Sequence, residues 1–144
     1  MSAATAPRAV TGAVTDRAWV ATRKGLFELR RSTGGAWALA GVSFLGEPVT
    51  AVLPPDGRGR MLAALNLGHF GVKLHASADA GASWAETTTP AYQAQPDGAA
   101  GPAWSLLQVW VLERAGGRVL AGTLPGGLFV SEDGGASWSL NRPL

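Results

Sequence analysis

The sequence predicts an all-β fold built of repeated four-stranded antiparallel blades, and three observations carry that expectation. An octapeptide occurs twice, as Ser-Ala-Asp-Ala-Gly-Ala-Ser-Trp at 77–84 and as Ser-Glu-Asp-Gly-Gly-Ala-Ser-Trp at 131–138. Trp37, Trp84 and Trp138 recur at intervals close to the roughly 40 to 50 residues of a four-stranded propeller blade. The 20 glycines and 9 prolines punctuate short apolar runs that lack helical periodicity. Three blades are expected, at 17–41, 48–88 and 108–141, with 1–16 as an N-terminal segment.

In the first blade, strands are expected at 17–22, 25–29 and 37–40, and the inner strand has to come from 8–14, a stretch rich in Ala, Gly and Thr. The second reads as 49–53, a Pro-Pro-Asp-Gly turn, then 61–65, 72–77 and 83–87. The third begins with Val109-Trp110-Val111-Leu112, an apolar run suited to a strand covered on both faces. It continues through 118–123, 128–131 and 137–141. The second strands of these two blades, Arg60-Met61-Leu62-Ala63-Ala64 and Arg118-Val119-Leu120-Ala121-Gly122, match residue for residue in kind. Between them, 88–103 is a polar, Pro- and Gly-rich connection read as mobile.

The repeated octapeptide is a turn with legible chemistry. Ser77 and Ser131 close an apolar strand, Asp79 and Asp133 can accept hydrogen bonds from turn N–H groups, and Gly81 and Gly135 can take a positive φ. Ser83 and Ser137 follow, and Trp84 and Trp138 lay a large ring across the hairpin. A decayed third copy, Ser32-Thr33-Gly34-Gly35-Ala36-Trp37, aligns Gly34 and Trp37 with the others and has Ser32 where the aspartate should stand.

The pattern Ser-x-Asp-x-Gly-x-Ser/Thr-Trp resembles the Asp-box of the BNR repeat family of sialidase-like β-propellers. The runs 20–27, 44–49 and 68–71 look like the opening blades of WD40/YVTN/BNR-like repeat proteins, often described as exo-α-sialidase-like or glycosyl hydrolase-like. That resemblance covers roughly 19–140. It implies that the box joins the third and fourth strands, away from the ligand face, and that relatives have enough blades to close a ring.

Composition narrows the remaining classes. A formal charge of +2 with scattered arginines excludes a basic run for nucleic acid. The absence of cysteine removes disulfides, thiolate chemistry and cysteine metal sites. No apolar run approaches the roughly 18 residues that span a bilayer, and 1–16 has no apolar signal-peptide core. The expectation is a cytoplasmic chain with no metal, no cofactor and no membrane partner.

Loops opposite the boxes gather the candidate ligand residues: Arg23, Lys24, Glu47, Asn66, His69 and Tyr92. Each has a plainer role open to it, His69 as a turn histidine, Glu47 as a turn residue before Pro48, and Arg23 and Lys24 as solvated cations. His75 reads as a strand residue. The sialidase family needs an arginine cluster, an acid and a tyrosine nucleophile with a glutamate, and other glycosidases need two facing carboxylates. Tyr92 is the one tyrosine, Arg30 and Arg31 lead to the opposite side, and the loop 124–127 lacks the glutamate that relatives carry there. The expected function is therefore a non-catalytic binding or scaffold module for a glycan or protein. The alternatives are a hydrolase completed by another chain and a remnant of a longer propeller. Three blades also imply an open ring unless two chains pair into a six-bladed one.

Overall fold

In a computed structural model, residues 16–142 are described, and they form three antiparallel sheets. The first holds β1 (Arg17–Thr22), β2 (Gly25–Arg31) and β3 (Trp37–Ser43) in the order β1-β2-β3. The second holds β4 (Val49–Leu53), β5 (Met61–Asn66), β6 (Val72–Ser77) and β7 (Ala85–Thr87) in chain order. The third repeats it with β8 (Gln108–Ala115), β9 (Arg118–Leu124), β10 (Gly127–Ser131) and β11 (Ser139–Leu140). By position β1 corresponds to β5 and β9, so the first sheet shows its outer three strands. The expected inner strand at 8–14 lies outside the described residues.

Two layers of core separate the three sheets. Ala51, Leu53, Leu62, Ala64 and Leu74 of the second sheet meet Val109, Leu112, Val119, Ala121 and Phe129 of the third. On its other face the second sheet presents Val49, Ala63 and Leu65 to Leu26, Trp19 and Ala21 of the first. Strand alternation explains the division, because Leu62 and Ala64 point one way while Ala63 and Leu65 point the other. A central sheet apolar on both faces is what β5, buried from Met61 through Leu65, requires.

The two octapeptide turns share one hydrogen-bond pattern. Asp79 accepts from the Ser83 amide at 2.8 Å and hydroxyl at 2.5 Å and from the Ser77 hydroxyl at 2.7 Å, while Ser77 Oγ accepts the Gly81 amide at 2.9 Å. Asp133 repeats this with Ser137 and Ser131, and Gly135 donates to Ser131 Oγ at 2.8 Å. Gly81 and Gly135 sit at φ +88° and +99°.

The tryptophans do more than cross their own hairpins, for each reaches the preceding sheet. Trp84 Nε1 donates to Ser43 Oγ at the end of β3, and Trp138 Nε1 donates to the Thr88 carbonyl just past β7, both at 3.1 Å. The glycines do the same by contact. A Cβ on Gly81 would lie 3.8 Å from Trp19 Nε1, and one on Gly135 would lie 2.7 Å from Leu62 Cδ1. Trp19 and Leu62 hold the same place on corresponding strands, so each turn staples its blade to the one before.

The first copy departs from the expected alignment. Arg31 pairs with Trp37 and the Ser32 amide bonds the Ala36 carbonyl, which moves the positive φ from Gly34 to Gly35, at +84°. The connection 88–103, expected to be mobile, is tied at its start. Pro90 is fully buried, and the Tyr92 hydroxyl bonds Thr123 Oγ1 at 2.6 Å and the Pro125 carbonyl at 2.5 Å.

The Ser83 hydroxyl and amide, with the Ser77 hydroxyl, lower the Asp79 pKa from 3.8 to about 2. The Ser137 and Ser131 hydroxyls do the same for Asp133. A carboxylate held below its unfolded value contributes stability above pH 4 that is lost as pH falls through about 2. Asp79→Ala and Asp133→Ala are each expected to lower the melting temperature at pH 7 and to flatten its fall between pH 4 and 2. Ser32→Ala should leave both unchanged. Equal melting curves for all three variants would contradict this role.

Candidate functional site

At the end of the sheets opposite the octapeptide turns, a cleft of about 810 Å³ opens between the first and second sheets and runs to the start of the third. The β1–β2 turn contributes Thr22 and Arg23, and the connection into β4 contributes Gly46, Glu47 and Pro48. The β5–β6 loop contributes Asn66, Leu67 and Phe70, and β8 supplies Gln108 and Trp110.

Two register shifts shape its floor. β4 slips against β5 between Val49 and Ala51, and β8 slips against β9 between Val109 and Val111. A bulge of this kind leaves one residue out of the ladder and re-aims its side chain. The two residues so placed, Thr50 and Trp110, both line the cleft. Trp110 and Phe70 are exposed there, presenting two aromatic rings to solvent.

Arg23, Glu47 and Asn66 are therefore brought to one cleft, whereas Lys24, His69 and Tyr92 are not among its lining. Asn66 has most of its bonding capacity engaged. Its amide donates to the Leu107 carbonyl at 3.1 Å and to Gln108 Oε1 at 3.4 Å, and its Oδ1 accepts the Gly68 amide. It ties the second sheet to the third beneath the cleft. Arg23 and Glu47 are exposed, and among the described residues neither takes part in a salt bridge. Lys24 serves the turn through its backbone, its amide bonding Thr22 Oγ1 and its carbonyl accepting the Gly46 amide at 3.0 Å. His69 sits in a 3-10 turn, Gly68–Phe70, with its ring edge-on to Phe70 at 5.8 Å.

Tyr92 belongs to another part of the molecule. Its ring packs edge-on to Phe129 at 5.2 Å, and with Trp104, Pro125 and Leu140 it borders a separate apolar pocket. With its hydroxyl already bonded, it braces the β9–β10 loop rather than facing the cleft.

Among the described residues lining the cleft, Glu47 is the single carboxylate, and no cluster of three or more His, Cys, Asp or Glu could hold a metal ion. No helix among the described residues is long and apolar enough to cross a membrane. Thr50, Phe70, Gln108 and Trp110 were not among the residues expected from sequence. For Thr50 and Trp110 the signal was weak: a polar or oversized residue one place into an otherwise aliphatic inner strand, as in Val49-Thr50-Ala51 and Val109-Trp110-Val111.

A solved structure, "YCF48 bound to D1 peptide", superposes with a TM-score of 0.53 over 88% of this chain at 16% identity. The fold is that of β-propeller blades. The chain spans 36% of the length of that structure. No family model matches the sequence, and no curated protein does.

Proposed function

We propose that this chain is a non-catalytic binding module of BNR-type, Asp-box propeller blades that takes a protein segment in the cleft lined by Arg23, Glu47, Phe70 and Trp110. The observation that carries this reading is the paired inner-strand bulge, which turns Thr50 and Trp110 into a cleft already flanked by charges with no salt-bridge partner among the described residues. Exposed aromatic rings beside a guanidinium suit an extended peptide, since rings supply apolar area at low conformational cost and the cation selects an acidic neighbour. The peptide in the YCF48 structure supports a protein ligand over a glycan. The single carboxylate supports binding over hydrolysis, because a glycosidase needs a proton donor and a second carboxylate at fixed separation.

A displayed random-peptide library provides the test. Selected peptides are expected to carry an aromatic or large aliphatic residue next to an acidic one. Trp110→Ala should weaken them about tenfold or more, and Arg23→Ala should weaken them and remove much of their salt dependence. A library that enriches nothing, or binders indifferent to both substitutions, would sink the reading. Turnover of a fluorogenic sialoside that vanishes in Glu47→Gln would replace it with the hydrolase alternative.

A further inference from the structure

The two stapled interfaces define a rule that the ends of the array leave half-used. In each, the face of one blade carrying Leu62 and Ala64, or their equivalents Trp19 and Ala21, receives the turn glycine and tryptophan of the next blade. The third sheet has the same receiving face. Leu120 stands where Leu62 stands, and Val111, Gly122 and Leu128 pair across it as Ala51, Ala64 and Leu74 do in the second. Burial differs sharply between the two. Leu74 is 0% exposed and Ala51 7%, against 40% for Leu128 and 50% for Val111.

The first sheet holds the complementary half. Cross-strand pairing puts Val20, Phe27 and Val42 in one row and Ala18, Leu29 and Leu39 in the next, on a single face. That face is the counterpart of Val119, Ala121 and Phe129, which are buried in the third sheet. Here Leu39 is 59% exposed, and Val20, Val42 and Trp37 are exposed too. Among the described residues, nothing within 4 Å would oppose a Cβ on Gly35 in its turn.

We propose that these two faces bind each other between two copies of this chain, head to tail, the first blade of one copy on the third blade of the other. The occupant is a second copy because each face matches the kind of surface this same chain displays at its opposite end, and because the contact continues an interface already built twice within the chain. A head-to-tail contact repeated about a two-fold axis closes, so two chains make two identical contacts and leave neither face open. Closure would also bring two clefts, each with its own Arg23, Glu47 and Trp110, to one end of the ring. It does not depend on what the cleft binds.

Light scattering on the purified chain, over a wide concentration range, is the test. A mass of twice 14.7 kDa is expected. Leu128→Glu and Leu39→Glu, on opposite faces, should each yield monomers, and mixing the two variants should restore association through the one contact both leave intact. A symmetric contact between like faces would be insensitive to one of the substitutions and would overturn the proposal. So would a monomeric wild type, or open-ended higher assemblies. Circular dichroism checks that each variant keeps its strands, and if either fails to fold, the mass of the unmodified chain still decides.

Discussion

Gly135→Ala is expected to destabilise the chain by about 2 to 5 kcal/mol, and Gly81→Ala by no more than about 1 to 2. Both residues hold a positive φ in the same turn, which costs an L-residue roughly 1 to 2 kcal/mol. The difference lies across the interface. The new methyl at 135 would stand 2.7 Å from Leu62 Cδ1 and 3.1 Å from Cδ2, so Leu62 would have to leave its place in the layer it shares with Ala51, Leu74 and Val119 and turn toward the adjoining cavity. Overpacking of that kind adds about 1 to 3 kcal/mol. At 81 the nearest atom is Met61 Sδ at 3.4 Å, an ordinary contact with an adaptable side chain. Urea denaturation of the two variants measures the gap. Equal losses would mean that the turn of the third blade does not bear on the second.

Phe129→Ala should cost about 3 to 5 kcal/mol, the usual penalty for emptying a buried phenylalanine site. The ring is fully buried in the layer between the second and third sheets, edge-on to Tyr92. Its removal would therefore loosen the packing that holds the tyrosine hydroxyl on Thr123 and Pro125. A fall in melting temperature on the order of 10 °C follows from the size of the chain, and Phe129→Leu should recover most of it. A variant that melts with the wild type would contradict a core lying between the sheets.

Strand positions were legible in the sequence because turn chemistry and alternation act within a few residues. Each strand expected from 17 to 141 is present, with ends shifted by up to three residues: β3 extends to Ser43 and β7 starts at Ala85. What failed were readings that depended on another strand. Gly34 looked like the turn glycine until the pairing of Arg31 with Trp37 set the loop length. Tyr92 looked loose because its partners, Thr123 and Pro125, come some thirty residues later. Trp110 passed for core in an apolar run, since a bulge is a property of two strands and leaves little trace in one. Arg23 and Glu47 stand on the face expected of them, lining the cleft, because both lie in short turns whose direction follows from the strands beside them.

The way the long connection between the second and third blades is laid down limits where this chain can change length. It is fastened at Thr88 by Trp138, at Tyr92 by Thr123 and Pro125, at Gln93 by Arg142 and at Leu107 by the Leu124 carbonyl. Between the last two fastenings, from 94 to 106, the hydrogen bonds run within the segment itself, as from Gln95 to Ala99 and from Trp104 to Gln95. Extra residues placed near Pro96 and Asp97 would lengthen a loop without crossing any tie to a sheet. Here a gene could accept an inserted module while both neighbouring blades kept their register.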